Sequence, residues 1–272
     1  MSSFDRVNHD VLMGRLAKRI EDKRMLRLIR RYLEAGMMAD GVVIERDEGT
    51  PQGGPLSPLL ANVLLDEVDR ELERTGHCFV RYADDCNVYM RSKKAGERVM
   101  ARLTKLYGKL RLKVNTEKSA VAPVWERKFL GLSFWLDSKG KVRRCVAKKA
   151  LQAMKEKVKQ ITDRNGGRSL CQVIEELSSY LDGWYSYFRQ AETPVVFDAL
   201  DGWIRRRLRM LQLKQWKRGT TAYPKLLARG VSPRTAASIA RHIRRWWHNA
   251  VLCNVAFPNR YYDELGLPRL AP

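Results

Sequence analysis

Asp84 and Asp85 are adjacent carboxylates in the segment Cys78-Phe-Val-Arg-Tyr-Ala-Asp-Asp-Cys-Asn-Val-Tyr-Met90. Like charges side by side repel, and a bound cation removes the repulsion. Such a pair suits one or two Mg²⁺ ions, which take carboxylate oxygens together with substrate phosphates. Asp-Asp is also good turn chemistry, and the segment alone leaves both readings open. A second stretch, Gly49-Thr-Pro-Gln-Gly-Gly-Pro-Leu-Ser-Pro58, holds three glycines and three prolines in ten residues. It cannot be regular helix or strand. Glycine lets a backbone approach a ligand closely, so Gly53 and Gly54 suit a ligand-facing loop or an ordinary turn.

The elements that must position these residues follow from periodicity. Leu12, Leu16, Ile20, Leu26, Ile29 and Leu33 recur at helical spacing over 8–35, with Gly36 as the stop. Gly41-Val-Val-Ile-Glu45 reads as a short strand, and a helix runs from about Pro58 to Arg74. The 78–90 segment reads as a hairpin with the two aspartates at its tip. A helix covers roughly 94–111, and residues 128–146 make a second hairpin around the turn Asp137-Ser-Lys-Gly140. From about 147 to 250 the pattern is helical, broken at 165–167, Pro194, Gly219 and 230–233. The fold class is α+β, with an all-α second part and a boundary near 145.

Charge separates the same two parts. The 272 residues carry 52 Lys+Arg against 30 Asp+Glu, a net of +22. Residues 1–138 hold 25 against 20, a net of +5, while 139–272 hold 27 against 10, a net of +17. Such a surplus repels itself unless a polyanion shares the surface, and nucleic acid is the first candidate. Leu200, Ile204, Leu208 and Leu211 form an apolar stripe that must face a core. Arg205, Arg206, Arg207, Arg209, Lys214, Lys217 and Arg218 occupy the rest of that helix, with Arg241, Arg244 and Arg245 in a second cluster and Lys148, Lys149, Lys155, Lys157 and Lys159 in a third. Phosphate binding is expected of these groups. Trp184, Trp203, Trp216, Trp246 and Trp247 lie among them. They are read mainly as helix packing, although stacking on unpaired bases is open to them.

Other classes are disfavoured. The polar start Met-Ser-Ser-Phe-Asp is not a signal peptide. No apolar run approaches the roughly 18 residues that span a bilayer, so no membrane partner is expected. The five cysteines are odd in number and never spaced C-x-x-C. They read as small buried residues in a reducing cytoplasm.

Four motifs in order then carry a family resemblance. Gly49–Pro58 resembles the nucleotide-pocket motif of reverse transcriptases, and Tyr82-Ala-Asp-Asp85 their metal-binding signature. Leu112-Lys-Val-Asn-Thr-Glu-Lys-Ser119 and Phe129-Leu-Gly131 resemble the next two motifs. Phe4-Asp-Arg-Val-Asn-His-Asp10 resembles the tail of the first palm motif. Ser179-Tyr-Leu-Asp-Gly-Trp-Tyr-Ser-Tyr-Phe188, Leu200-Asp-Gly-Trp-Ile-Arg-Arg-Arg-Leu-Arg209, Lys214-Gln-Trp-Lys217 and the terminal 261–270 resemble the thumb or maturase (X) domain of group II intron proteins. The similarity runs along essentially the whole chain. A retron-type or defence reverse transcriptase would share the palm motifs but does not explain Gly183-Trp184 and Gly202-Trp203.

The resemblance implies an antiparallel palm over 1–145 and a helical RNA-binding thumb over 146–272. It implies RNA-directed DNA synthesis, by a mobile element, plus intron RNA binding for splicing. The partners would be intron RNA, an RNA template with a DNA primer, and deoxynucleoside triphosphates. Asp84 and Asp85 would hold Mg²⁺. Phe4 would stack beneath the sugar and exclude a 2′-hydroxyl, or serve as a core aromatic. Pro51, Gln52 and Gly53 would line the incoming nucleotide. Lys118 would protonate the leaving pyrophosphate, or be one more solvated lysine. Phe129, Leu130 and Gly131 would grip the primer, or form an ordinary strand. Arg205, Arg206, Arg209, Lys214, Lys217, Arg244 and Arg245 would bind RNA.

The family's first palm motif reads Asp-x-x-x-x-Phe-Asp, and its leading Asp is a third metal ligand. Counting back five residues from Phe4 passes Met1. The expectation is a chain without that carboxylate and without the upstream fingers, with little or no polymerase activity of its own. The alternative is an RNA-binding maturase remnant that does not copy RNA.

Overall fold

A computed structural model describes residues 7–35, the backbone of 37–39 and 42–44, and residues 56–271. Two compact units divide the chain, Met1–Ala122 and Pro123–Pro272. Helices and small antiparallel sheets make an α+β protein.

In the first unit the apolar spacing of 8–35 is split between α1 (His9–Leu16) and α2 (Lys23–Glu34). The interruption is a capping site that outcompetes helix continuation. Asp22 Oδ1 accepts the backbone N–H of Arg24 at 2.7 Å and of Met25 at 3.4 Å. Strand β2 (Val42–Ile44) pairs with β1 (Met37–Ala39), a partner strand the sequence pattern did not reveal. Helix α3 (Ser57–Arg74) starts with proline in its first turn and buries Leu60, Leu64, Val68 and Leu72 at four-residue spacing. Each such burial contributes about 1.5–3 kcal/mol. It stops at Gly76 (φ +67°): the Gly76 N–H bonds the Glu73 carbonyl and the His77 N–H the Leu72 carbonyl. Strands β3 (Cys78–Tyr82) and β4 (Asp85–Tyr89) form the expected hairpin, and α4 (Lys93–Lys109) follows, capped by Ser92. Leu12, Leu16, Leu33, Leu110 and the α3 leucines share one core, with Phe79, Cys86 and Val88 of the hairpin packed on it.

The second unit begins with a 3₁₀ turn (Val124–Glu126) and a three-stranded sheet. The strands are β5 (Lys128–Phe129), β6 (Leu132–Leu136) and β7 (Val142–Val146). Seven helices follow: α5 (Lys148–Ile161), α6 (Leu170–Phe188), α7 (Pro194–Gln215), α8 (Gly219–Leu227), α9 (Pro233–Arg241), α10 (Trp246–Leu252) and α11 (Asn259–Glu264). The breaks near 165–167, 194, 219 and 230–233 fall where the sequence placed them, a further break at 242–245 separates α9 from α10 with no glycine or proline to mark it, and a Ser169–Gln172 capping box opens α6. Leu132 and Val146 pack with the helical core, so the three-stranded sheet belongs to the second compact unit. Leu200, Ile204, Leu208 and Leu211 are all buried, as the stripe requires. Of the five free cysteines only Cys253 is buried; Cys78 and Cys171 are exposed. Among the described residues no helix is long and apolar enough to cross a membrane.

Candidate active site and nucleic-acid interface

β3 and β4 are joined by two residues, Ala83 and Asp84, and the ladder closes at the Tyr82–Asp85 pair. So short a link needs a left-handed residue, and Ala83 takes that role at φ +53°. An alanine there costs about 1 kcal/mol because its Cβ crowds the backbone. Strand alternation sorts the remaining side chains. Phe79, Arg81, Cys86 and Val88 face inward, while Tyr82 and Asp85 face solvent. Asp84 and Asp85 are both exposed. Among the described residues no cation or donor pairs with either carboxylate, and no third carboxylate, histidine or cysteine joins them. Two unpaired hard-oxygen groups at one turn fit Mg²⁺, which is commonly held by one or two carboxylates and completes its shell with water and phosphate.

Beneath this turn lies Arg81, with its side chain 13% exposed. Its Nε donates to Asp69 Oδ1 at 2.8 Å, and its Nη2 also pairs with Asp69. Its Nη1 donates to Asn62 Oδ1 at 2.8 Å and to the Ala83 carbonyl at 3.0 Å. The hydrogen bonds to Asp69 raise the guanidinium pKa further, so Arg81 stays charged. Burial pushes the neighbouring Cys86 thiol up to about 11 and the Tyr107 phenol up to about 12. Neither titrates near neutrality.

Lys118 is exposed and sits in an Asx turn: Asn115 Oδ1 accepts the backbone N–H of Glu117 and of Lys118, each at 3.1 Å. Phe4, Pro51, Gln52 and Gly53 lie outside the described residues. The Phe129-Leu130-Gly131 motif belongs to the second unit. Leu130 (φ +50°) and Gly131 (φ +76°) form the two-residue turn between β5 and β6. The Leu130 carbonyl accepts the Tyr187 hydroxyl at 3.1 Å, and the Gly131 carbonyl accepts the Ala147 N–H at 2.8 Å. A Cβ on Gly131 would sit 3.1 Å from the Phe188 ring, a tight contact that adds to the preference for glycine set by φ.

The cationic residues of α7 divide into two sets. Arg205 and Arg209, expected among the phosphate ligands, are interior groups, 1% and 6% exposed. Arg205 pairs with Asp201 and Asp263, and Arg209 donates to the Phe257 carbonyl and Asn259. A buried charge needs such partners, and these hold both guanidinium groups in the interior, away from phosphate. Lys217, Arg218, Arg241, Arg244 and Arg245 are exposed, as are Lys148, Lys149, Lys155, Lys157 and Lys159. Arg206, Arg207 and Lys214 are half-buried and lie over indole rings. Arg206 stacks 4.0 Å from the Trp247 ring and donates to the Trp247 carbonyl at 3.0 Å. Arg207 lies over Trp203 at 5.5 Å, and Arg164 and Lys214 over Trp246 at 5.1 and 5.6 Å. Burial, then the charge of Arg164, lowers the Arg207 pKa from its very high ordinary value. Trp216 is core, and Trp247 is exposed.

Residues 1–134 match the family model described as reverse transcriptase (RNA-dependent DNA polymerase). Residues 151–231 match the group II intron maturase-specific domain. The chain belongs to the group II intron reverse transcriptase/maturase family. The maturase match is what a retron-type reading does not account for. Group II intron-encoded protein LtrA of Lactococcus lactis subsp. cremoris is 35% identical over 116 residues, which is 42% of this chain and 19% of that protein. Protein YkfC of Escherichia coli is 42% identical over 71 residues, 26% of this chain and 19% of that protein. A protein in the cob intron of Schizosaccharomyces pombe is 40% identical over 70 residues, 26% of this chain and 9% of that protein. The matches thus span about a fifth or less of these relatives' lengths.

Motif reading in this group II intron protein missed the residues under the turn. Arg81 was visible as a charge two residues from Phe79, hence on the inward face of its strand. Asn62 and Asp69 are seven apart, hence on one face of α3. Nothing in the sequence joins the two facts.

Proposed function

We propose that this chain acts on nucleic acid in two ways. The Asp84–Asp85 turn serves RNA-directed DNA synthesis, and the cationic second unit binds intron RNA in support of splicing. In this reading residues 1–145 supply palm and 146–272 supply thumb and maturase. The observation that carries it is the pair of exposed, unpaired carboxylates presented by a two-residue turn, inside a reverse-transcriptase match.

Asp84 and Asp85 would hold Mg²⁺. A metal held there would supply positive charge to a primer 3′-hydroxyl and to a triphosphate for in-line nucleotidyl transfer. The protein's own residues position and protonate. Pro51, Gln52 and Gly53 would line the deoxynucleoside triphosphate, and Phe4 would exclude a 2′-hydroxyl. The Lys118 ammonium would pass its proton to an oxygen of the leaving pyrophosphate. Phe129, Leu130 and Gly131 would hold the primer strand. Arg206, Lys214, Lys217, Arg244 and Arg245 would contact RNA phosphates, with the neighbouring indoles open to base stacking.

Primer extension on an RNA template, with and without Mg²⁺, tests this. Extension is expected to be weak, and what there is should need Mg²⁺ and disappear in Asp84→Asn. Extension indifferent to Asp84→Asn removes the assignment. A second reading, RNA binding without copying, is favoured by the net +17 of residues 139–272, which does not depend on the carboxylates. Salt-sensitive intron RNA binding with no extension would select it.

A further inference from the structure

We propose that Arg81 is a positioning residue for the metal-binding turn: it fixes the Ala83–Asp84 peptide, and thereby the direction of the Asp84 carboxylate. The inference rests on the polymerase reading above and deepens it.

The guanidinium joins two elements that the chain separates. On one side it grips α3, through Asp69 by two parallel contacts and through Asn62 at 2.8 Å. On the other it holds the Ala83 carbonyl at 3.0 Å. α3 is a rigid base, since Leu60, Leu64 and Val68 anchor it in the core. The carbonyl it holds belongs to the strained residue. Ala83 sits at φ +53°, where a non-glycine residue stays only if its surroundings impose it. Rotating the Ala83–Asp84 peptide would relieve that strain, break the contact with Arg81, and swing Asp84 away from its present direction. A hydrogen bond from a charged donor opposes that rotation.

The donor count argues for more than an ion pair. Asp69 alone would satisfy the charge, using Nε and Nη2. Nη1 is left over, and its acceptors, Asn62 Oδ1 and the Ala83 carbonyl, belong to the turn and its support. Lysine has one compact ammonium and cannot fill a bidentate carboxylate contact and reach the turn together. Groups that orient metal ligands commonly change metal affinity by about ten- to a hundredfold when removed. Arg81 lies in that position here, although it touches neither metal nor substrate.

Mn²⁺ titration of the full 272-residue chain, read by the electron paramagnetic resonance signal of free and bound Mn²⁺, tests the proposal. Wild type, Arg81→Lys, Asp84→Asn and Leu16→Ala are compared. Arg81→Lys is expected to bind Mn²⁺ about tenfold more weakly, with an altered bound-Mn²⁺ line shape. Leu16→Ala, a core change on α1, should lower Tm and leave Mn²⁺ affinity unchanged, which separates positioning from general stability. If Arg81→Lys binds as wild type does while Asp84→Asn loses binding, the positioning role is overturned and the carboxylate site stands. If Asp84→Asn binds as wild type does, the carboxylate site and the role of Arg81 toward it both fall. Should Arg81→Lys not fold, the double variant Arg81→Met with Asp69→Leu decides: it removes the ion pair as a unit, so no charge is stranded, and with it the contact to the Ala83 carbonyl. A roughly tenfold loss of Mn²⁺ affinity supports the proposal, and unchanged affinity overturns it.

Discussion

Arg205 and Asp201, one helical turn apart on α7, form a buried ion pair at 2.9 Å. Arg205 also reaches Asp263 at 2.6 Å, and the second Asp201 oxygen accepts the backbone N–H groups of Leu270 and Ala271 at 3.0 Å. The pair therefore ties residues 270 and 271 to α7. Arg205→Met should destabilise the second unit by about 3–5 kcal/mol, because it strands carboxylates in the interior. Denaturant unfolding measures this. RNA affinity of the folded protein should not change, and a tenfold loss there would return Arg205 to the phosphate ligands.

Leu130 holds a left-handed conformation at φ +50° in a turn that favours Asn or Gly. Its side chain is 37% exposed, so packing does not explain the choice. Leu130→Gly should leave stability unchanged or raise it by up to about 1 kcal/mol. If the side chain serves the primer, the same variant should raise the primer KM in extension assays. Unchanged kinetics would leave the residue a plain turn position.

Exposed cations carry the expected salt dependence of RNA binding. Replacing Lys217, Arg218, Arg244 and Arg245 by alanine should reduce the slope of log K against log salt by about 0.7 per lost phosphate contact. Filter binding at several salt concentrations reads the slope. Tm should move little, since each of these side chains is exposed. The single change Arg209→Ala should do the reverse, lowering Tm while sparing the slope, because its guanidinium is bonded to the Phe257 carbonyl.

Acid should weaken the first unit in a defined window. The hydrogen bond from Arg74 lowers the Glu71 pKa from 4.5 to about 2. A carboxylate with a depressed folded pKa contributes stability that is present above its unfolded value and lost as pH falls through the folded one. The contribution of Glu71 should therefore fade between about pH 4.5 and pH 2. Glu71 contacts Arg74 and Arg102 at the surface, so salt should diminish the effect. Urea unfolding of wild type and Glu71→Gln from pH 2 to 6 should give curves that converge at the acid end.

Whatever depends on neighbours along the chain is legible in the sequence. Alternating apolar residues around Ala83-Asp84 specified the hairpin and put the aspartates at its tip. The four-residue spacing of Leu200, Ile204 and Leu208 specified the buried face of α7, and the motifs in order specified the family. Local chemistry hidden inside a periodic pattern was harder to see: the Asp22 cap broke one apparent helix into two. Tertiary structure decided which charges were available. Arg205, Arg206 and Arg207 are consecutive and read alike, yet only Arg205 meets Asp263, 58 residues away. Arg81 likewise looked like one more strand residue until α3 brought Asp69 and Asn62 beneath it. A charge is buried or exposed according to partners supplied by folding, and chain spacing carries no record of a partner so far away.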